Sequence, residues 1–436
     1  MLNKIGCILL LFFSFHSWAA VESMVDISIV KSKQGYWTVT YKTHKPASRL
    51  SFIRNPDASR IERWQPNDSS FEIVSIADQE FIIKQDGSYF TQVSLLLTPT
   101  YQHLAKDYAP FSPYSDGGVL LYTGRLFACI EYCLDEINQW QFALQVPAGE
   151  HIVLNGTVQQ GDASWIDNDD GRNVYVGPQK PLETENVIAV IDKGLPDRIK
   201  HSLDADIPKL MEYYEQGLGK LTGIKPTLFA SYANVAGHSS QGGTLPSQIF
   251  MHWDQNNLSS KVSDKTFLNN TIWFFAHEVA HLYQGDFYGD RDESWLHEGH
   301  ADWLAARALL ALYPETESYV THKIDRFRTH CAKGLTHFPL VEAADKGRFD
   351  LYYMCGLLIH QAIDLALQQQ GGNDIYDLWT AFRIQADQGD KKASDLFLSM
   401  TEKWTSPLLV ARIKAILNSK LSNPEQSLTL VISGDF

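Results

Sequence analysis

His277, Glu278 and His281 stand in the run His-Glu-Val-Ala-His, and Glu298 and Asp302 follow in Ser-Trp-Leu-His-Glu-Gly-His-Ala-Asp. The first group lies in the apolar stretch 271–283, among Ile272, Trp273, Phe274, Phe275, Ala276, Val279, Ala280 and Leu282, with Gly285 just beyond. Such a stretch reads as a buried helix. On it His277 and His281 lie one above the other, because residues four apart share a helix face. Two imidazoles so placed can bind one Zn²⁺. Glu278 then points beside the ion, where a base can take a proton from an attacking water. The alternative is a pair of core histidines bonded to backbone. Burying three polar groups among these apolar neighbours without a shared task would be costly.

A catalytic zinc needs three protein donors and one open position. The stretch 295–310 reads as a second helix, with Trp295, Leu296, Ala301, Trp303, Leu304, Ala305 and Leu309 as its apolar positions. Glu298 near its start is the candidate third donor. Asp302 falls four residues later on the same face and is the candidate partner of the outer His277 nitrogen. Gly299 would let another backbone approach Glu298 closely. His297 and His300 are the competing donors, or a fourth donor if zinc merely staples a non-catalytic peptide-binding protein; such a staple has no use for Glu278. The longer three-histidine motif would need Gly at 284 and His at 287, where the chain has Gln284 and Phe287.

These residues resemble the gluzincins, zinc peptidases with a His-Glu-x-x-His helix and a Glu ligand on the next helix. Trp295-Leu296-His297-Glu298-Gly299-His300-Ala301 is similar to the Trp-Leu-Asn-Glu-Gly-Phe-Ala block of the alanyl aminopeptidase family. The Glu298–Asp302 pair is closer to the thermolysin pattern. Sixteen residues separate His281 from Glu298, a shorter connection than in the aminopeptidases. The resemblance spans 186–371. It implies an N-terminal β domain, a thermolysin-like α/β catalytic domain, Zn²⁺ as cofactor and a peptide or protein substrate. It also implies that later helices form the floor and far wall of a cleft, and that substrate backbone pairs with an edge strand beside the active helix. A lipid-modifying or epoxide hydrolase is the other chemistry such a fold implies.

The resemblance further points to a tyrosine. Tyr352-Tyr353-Met354-Cys355-Gly356 is similar to the family's Tyr-x-Lys-Gly segment, whose Tyr stabilises the tetrahedral intermediate. Alignment on Gly356 selects Tyr353, with Cys355 in place of the Lys; Tyr352 and then His360 are the alternatives. The family's amine-binding Gly-x-Met-Glu-Asn segment falls at Gly242-Gly243-Thr244-Leu245-Pro246-Ser247-Gln248, which has no acid. A strong preference for a free N-terminus is therefore not expected, unless Asp290, Asp292 or Glu293 supplies the charge.

The elements that must position these residues follow from pattern. Residues 1–20 carry Lys4, an apolar core at 8–15 and Ser-Trp-Ala-Ala. This is the form of a secretory signal cut near Ala20, too short to span a bilayer; export to the periplasm or medium is the expectation. Net charge is −14, which excludes nucleic acid and anionic membranes as natural partners. Of the four cysteines beyond the leader, Cys129 is expected to pair with Cys133 and Cys331 with Cys355.

Period-two alternation at 25–30, 36–41, 92–97 and 141–146 gives an antiparallel β domain over 21–181, read as a sandwich. The acids of 162–172 read as a solvated loop rather than a Ca²⁺ site. The catalytic domain, 182–371, opens with strands at 187–191, 227–232 and 247–253 and a helix at 196–217. Gly242-Gly243-Thr244 reads either as a hairpin turn or as part of the edge strand. Helices are expected near 316–330, 345–370, 374–385, 391–401 and 408–421, with a short strand at 427–433 closing a helical extension over 372–436. The fold class is thus α+β and multidomain.

Overall fold

The computed structural model describes residues 24–55, 58–104, 107–133, 138–168, 171–233, 237–285, 293–386 and 392–432. The leader with Ala20, Asp169 and Asp170 of the acidic loop, and Asp290 and Asp292 lie outside the described residues.

Alternation organises the N-terminal half. Val25, Ile27 and Ile29 of Val25–Lys31 and Trp37, Val39 and Tyr41 of Trp37–Ala47 are all buried, with polar residues between them facing outward. With Phe90–Leu97, Trp64–Pro66, Gln139–Gln145 and Ala163–Asn168 they form a six-stranded sheet. It shares one core with a four-stranded sheet of Arg49–Phe52, Phe71–Ile76, Gln79–Lys84 and Ala128–Ile130. Two features depart from a purely antiparallel sandwich. Val25–Lys31 pairs in parallel with Gln139–Gln145, and there is a third sheet.

That third, five-stranded sheet holds Phe111–Pro113, Val119–Tyr122, His151–Leu154, Thr157–Gln160 and Asn173–Gly177. Its inner runs Val119–Tyr122, His151–Leu154 and Asn173–Gly177 are mostly apolar without alternation because both faces are covered. Val119, Leu121, Ile152, Leu154, Val174 and Val176 face the N-terminal core. Leu120, Tyr122, Val153 and Tyr175 face a separate core with Ile188, Val190, Phe229, Leu245 and Phe250. The sheet therefore joins the β half to the C-terminal half through packed side chains. Asp167, expected in a solvated loop, is instead buried on the Ala163–Asn168 strand, accepting from Thr123 Oγ1 at 2.5 Å and Arg172 Nε at 2.9 Å.

The C-terminal half begins with a mixed sheet in the order Leu182–Glu183, Ile188–Ile191, Thr227–Ala233, Gln248–Gln255, His238–Leu245. The Asp197–Leu218 helix makes the crossover between its first two parallel strands. Gly242-Gly243-Thr244 lie inside the edge strand, and the turn that follows is at Pro246 and Ser247, the latter with φ 56°.

Helices complete this half: Lys265–Gln284, Ser294–Leu312, Glu317–Leu335, Asp350–Gly371, Ile375–Ala386, Ala393–Trp404, Pro407–Asn418 and Pro424–Ile432. All contribute to one hydrophobic core. Asp264 caps the first of them, its carboxylate accepting from the Thr266 N–H at 2.8 Å. Ser294–Leu312 and Asp350–Gly371 cross with bare backbone in contact: a Cβ on Gly299 would lie 2.3 Å from Gly356 Cα. The strand expected at 427–433 is a helix instead. Asn423 and Pro424 form a helix start, and Leu428 and Val431, three apart, both face the core.

Both disulfides pair as expected, Cys129 with Cys133 and Cys331 with Cys355. The second ties Glu317–Leu335 to Asp350–Gly371 across 24 positions of sequence. Replacing both its cysteines by Ala should lower the unfolding free energy by about 3 kcal/mol, read as a reduced denaturant midpoint; the same change at Cys129 and Cys133, which closes a far shorter loop, should do less. An unchanged midpoint in the first variant would contradict this. No helix among the described residues is long and apolar enough to cross a membrane.

Candidate active site

The Lys265–Gln284 helix presents His277, Glu278 and His281 to one side of the cleft beneath the edge strand, and Ser294–Leu312 brings up Glu298. The two Nε2 atoms are 2.9 Å apart, and Glu298 Oε2 lies 3.2 Å from that of His277 and 3.3 Å from that of His281. Tetrahedral coordination at about 2.0–2.1 Å would put donor atoms roughly 3.3 Å apart.

The outer nitrogens show why a cation fits. His277 Nδ1 is 3.0 Å from Asp302 Oδ1, which also accepts from Trp273 Nε1 at 2.7 Å. His281 Nδ1 is 2.7 Å from Gln284 Oε1. Each Nδ1 thus faces an acceptor, and a ring that keeps its proton on Nδ1 has the Nε2 lone pair to offer a metal. The two Nε2 atoms and a carboxylate oxygen converge on one point, which is the donor set of a zinc site. His277, His281 and Glu298 are the one such group of donors among the described residues.

Gln284 was not singled out as a positioning residue in the sequence. Its amide nitrogen is 2.8 Å from His297 O and 2.9 Å from His300 Nδ1, so the side chain is held on three sides while its oxygen takes the His281 proton. Its place three residues after His281, on the same helix face, was the available signal. Gln284→Ala should weaken zinc binding about 10–100-fold, measured by competition with a chromogenic chelator; unchanged affinity would remove Gln284 from this role.

Glu278 is buried beside the donors without joining them. Thr244 Oγ1 lies 2.7 Å from Glu278 Oε2 and 3.0 Å from its main-chain oxygen. Burial pushes the Glu278 carboxyl above its usual range, against the pull of the neighbouring histidines. Tyr353 lies against His277, ring centroids 5.6 Å apart, and lines the same cavity of about 510 Å³. Burial, with the charges of Glu298, Glu278 and Asp302, pushes its hydroxyl far above the usual range, so it stays a donor. Tyr352 is turned away: its hydroxyl donates to Val341 O at 2.9 Å.

The competing residues fall elsewhere. His297 lines the cavity, with Nε2 3.5 Å from Glu298 Oε1, outside the three-donor group. His300 is fully buried, stacked on Trp379 at 3.8 Å, and burial holds it neutral. His360 is buried, with Nε2 2.9 Å from Leu296 O. Glu293 is buried too, accepting from the Ser394 N–H at 2.7 Å. The structure adds Thr244 and Tyr108 to the cavity wall. Tyr108 carried no local signal, since it reaches the cleft from a distant part of the chain; Thr244 lay in the stretch matched to the amine-binding segment, but nothing there pointed to Glu278.

No family model matches the chain, and no curated protein matches it in sequence. Solved structures do match in fold. An aminopeptidase N family protein from Idiomarina loihiensis superposes with a TM-score of 0.65 at 12% identity, over 94% of this chain and 78% of the other. Yeast LTA4 hydrolase superposes with a TM-score of 0.53 at 12% identity, over 92% of this chain and 68% of the other. The fold is therefore that of the aminopeptidase and LTA4 hydrolase-like structures: N-terminal β sheets, a mixed α/β unit and C-terminal helices.

Proposed function

We propose that the protein is an exported zinc metallopeptidase of gluzincin type. His277, His281 and Glu298 would hold Zn²⁺, Asp302 orients His277, Glu278 is the general base, and Tyr353 is a donor to the oxyanion. The observation that carries this is the convergence of three donors, with no fourth among the described residues, beside a buried carboxylate that is not one of them. A structural staple would be closed by protein on all four sides.

Bound there, Zn²⁺ would polarise the scissile carbonyl and lower the pKa of a water. Glu278 takes the proton of the attacking water and hands it to the nitrogen of the leaving amine. The bond from Thr244 fixes Oε2 and leaves Oε1 to move that proton. The Tyr353 hydroxyl donates to the carbonyl oxygen as it becomes an oxyanion. The His238–Leu245 edge strand offers a peptide backbone a partner to lie along.

Export is supported by the leader-like pattern of 1–20 and by two disulfides, which persist in oxidising compartments. The division into 21–181, 182–371 and 372–436 belongs to the same reading. The test is turnover of casein and of peptide amides with and without a chelator. Hydrolysis abolished by the chelator and restored by Zn²⁺ is expected. A zinc-loaded protein that binds peptides and cuts none would instead be a stapled binding protein.

A further inference from the structure

A second cavity of about 580 Å³ lies against the first. Its walls come from both halves of the chain: Arg54, His103, Asp107 and Tyr122 from the β half, Ser240 and Gln241 from the edge strand. The two cavities share Tyr108, Gly242, Thr244 and Leu245. Along the edge strand they are arranged in order. The second cavity touches residues 240–242, 244 and 245; the metal cavity touches 242–247. Thr244, bonded to Glu278, sits in the overlap. The reacting centre is therefore not at a closed end of the cleft.

The roof of this path is built in. Gln241 accepts from the Ala109 N–H at 2.9 Å and donates to Asp107 O at 2.9 Å, clamping the 107–109 segment over the strand. Tyr108 packs on Phe250 and Tyr122, ring centroids 4.7 and 5.4 Å away, and its hydroxyl reaches to where a Cβ on Gly243 would be, 2.5 Å away. Among the described residues the outer edge of His238–Leu245 makes no main-chain hydrogen bond. Between residues 240 and 245, at about 3.3 Å per residue, the strand offers roughly five residues of ladder.

The charges speak against an end-binding site. The carboxylates lining the two cavities, among the described residues, are Glu278, Glu298 and Asp107. The first two belong to the reacting centre. Asp107 Oδ1 accepts from Arg54 Nη1 at 2.9 Å and from the Tyr108 N–H at 2.8 Å, and Oδ2 lies 3.5 Å from Arg125. Among the described residues, then, the one lining carboxylate outside the reacting centre is already paired with two arginines rather than set out for a substrate's α-ammonium group.

We infer that the substrate is an extended peptide that runs along the outer edge of the strand through both cavities, passing beside Tyr108, which lines both, so that the protein cuts internal bonds and the second cavity holds residues on one side of the cut. This rests on the peptidase reading. The test uses the zinc-loaded full chain and internally quenched peptides, N-acetylated and C-amidated, lengthened one residue at a time on each side of the cleaved bond. kcat/KM should rise about tenfold or more as the chain comes to fill the second cavity, since remote contacts feed the reacting step, and acetylation should not lower it. Ser240→Trp and, separately, His103→Trp should flatten that rise, with zinc content and circular dichroism checking that each variant is folded. The affinity of the Glu278→Gln protein for the same peptides, by fluorescence anisotropy, should increase with the same residues. Free-amine dipeptide amides as the best substrates, with no gain from length, would overturn the inference and leave the peptidase reading standing. No cleavage of any peptide at any length would overturn both.

Discussion

Glu278→Gln should retain stoichiometric zinc and an unchanged unfolding midpoint while peptide hydrolysis falls by about 10²–10⁴-fold, the range for loss of a general base. Three features separate the two properties. Glu278 is not among the converging donors. Its partner Thr244 can bond an amide oxygen as well as a carboxylate. The volume is unchanged, so the buried site stays filled. What an amide cannot do is accept the proton of the attacking water. The comparison that makes this decisive is Glu298→Ala, which should lose zinc altogether, as should His277→Ala and His281→Ala. Metal analysis separates the sets without reference to activity. Glu278→Gln that hydrolyses peptides at the parent rate would remove it as the base. Zinc retained in Glu298→Ala would move the third donor elsewhere, with His297, 3.5 Å from Glu298, the nearest ring.

The parts of this site written locally were legible in the sequence. His277 and His281, like Glu298 and Asp302, are four apart on helices, and that spacing alone puts each pair on one face. Their convergence depends on helix packing, and the one hint of it was Gly299, which meets Gly356 backbone to backbone. Contacts made by distant strands left no such trace. Thr244 reaches Glu278 because its strand lies over the helix, and Tyr108 reaches the cleft because Gln241 holds its segment down. The parallel pairing of Val25–Lys31 with Gln139–Gln145 is equally silent, since alternation marks a strand's faces but not its neighbours. At 427–433 the signal misled. Leu-Thr-Leu-Val-Ile is β-prone, yet Asn423 and Pro424 start a helix and the C-terminal helices supply a surface for its apolar side.

Tyr353→Phe should lower kcat about 10²–10³-fold with KM nearly unchanged, the signature of a donor lost from the transition state alone. Alignment on Gly356 selected Tyr353 over Tyr352, its neighbour on the same helix. The structure separates their surroundings. Tyr352 is buried, and its hydroxyl donates to Val341 O and accepts from the Ala344 N–H at 3.4 Å. Tyr353 lines the metal cavity against the His277 ring. Tyr352→Phe should therefore keep kcat and lose about 1 kcal/mol of stability for a buried hydrogen bond, whereas Tyr353→Phe should keep stability and lose kcat. The Tyr353 hydroxyl is also surrounded by the carboxylates of Glu298, Glu278 and Asp302, which oppose its ionisation. A group held protonated in that way could donate to an oxyanion at any pH at which Glu278 would act as the proposed base. Steady-state kinetics on both variants, with thermal unfolding alongside, would show whether the two roles divide as the geometry divides them. Normal kcat in Tyr353→Phe would remove it from the reaction, and a collapse in Tyr352→Phe instead would mean that the helix turns by a residue when substrate binds.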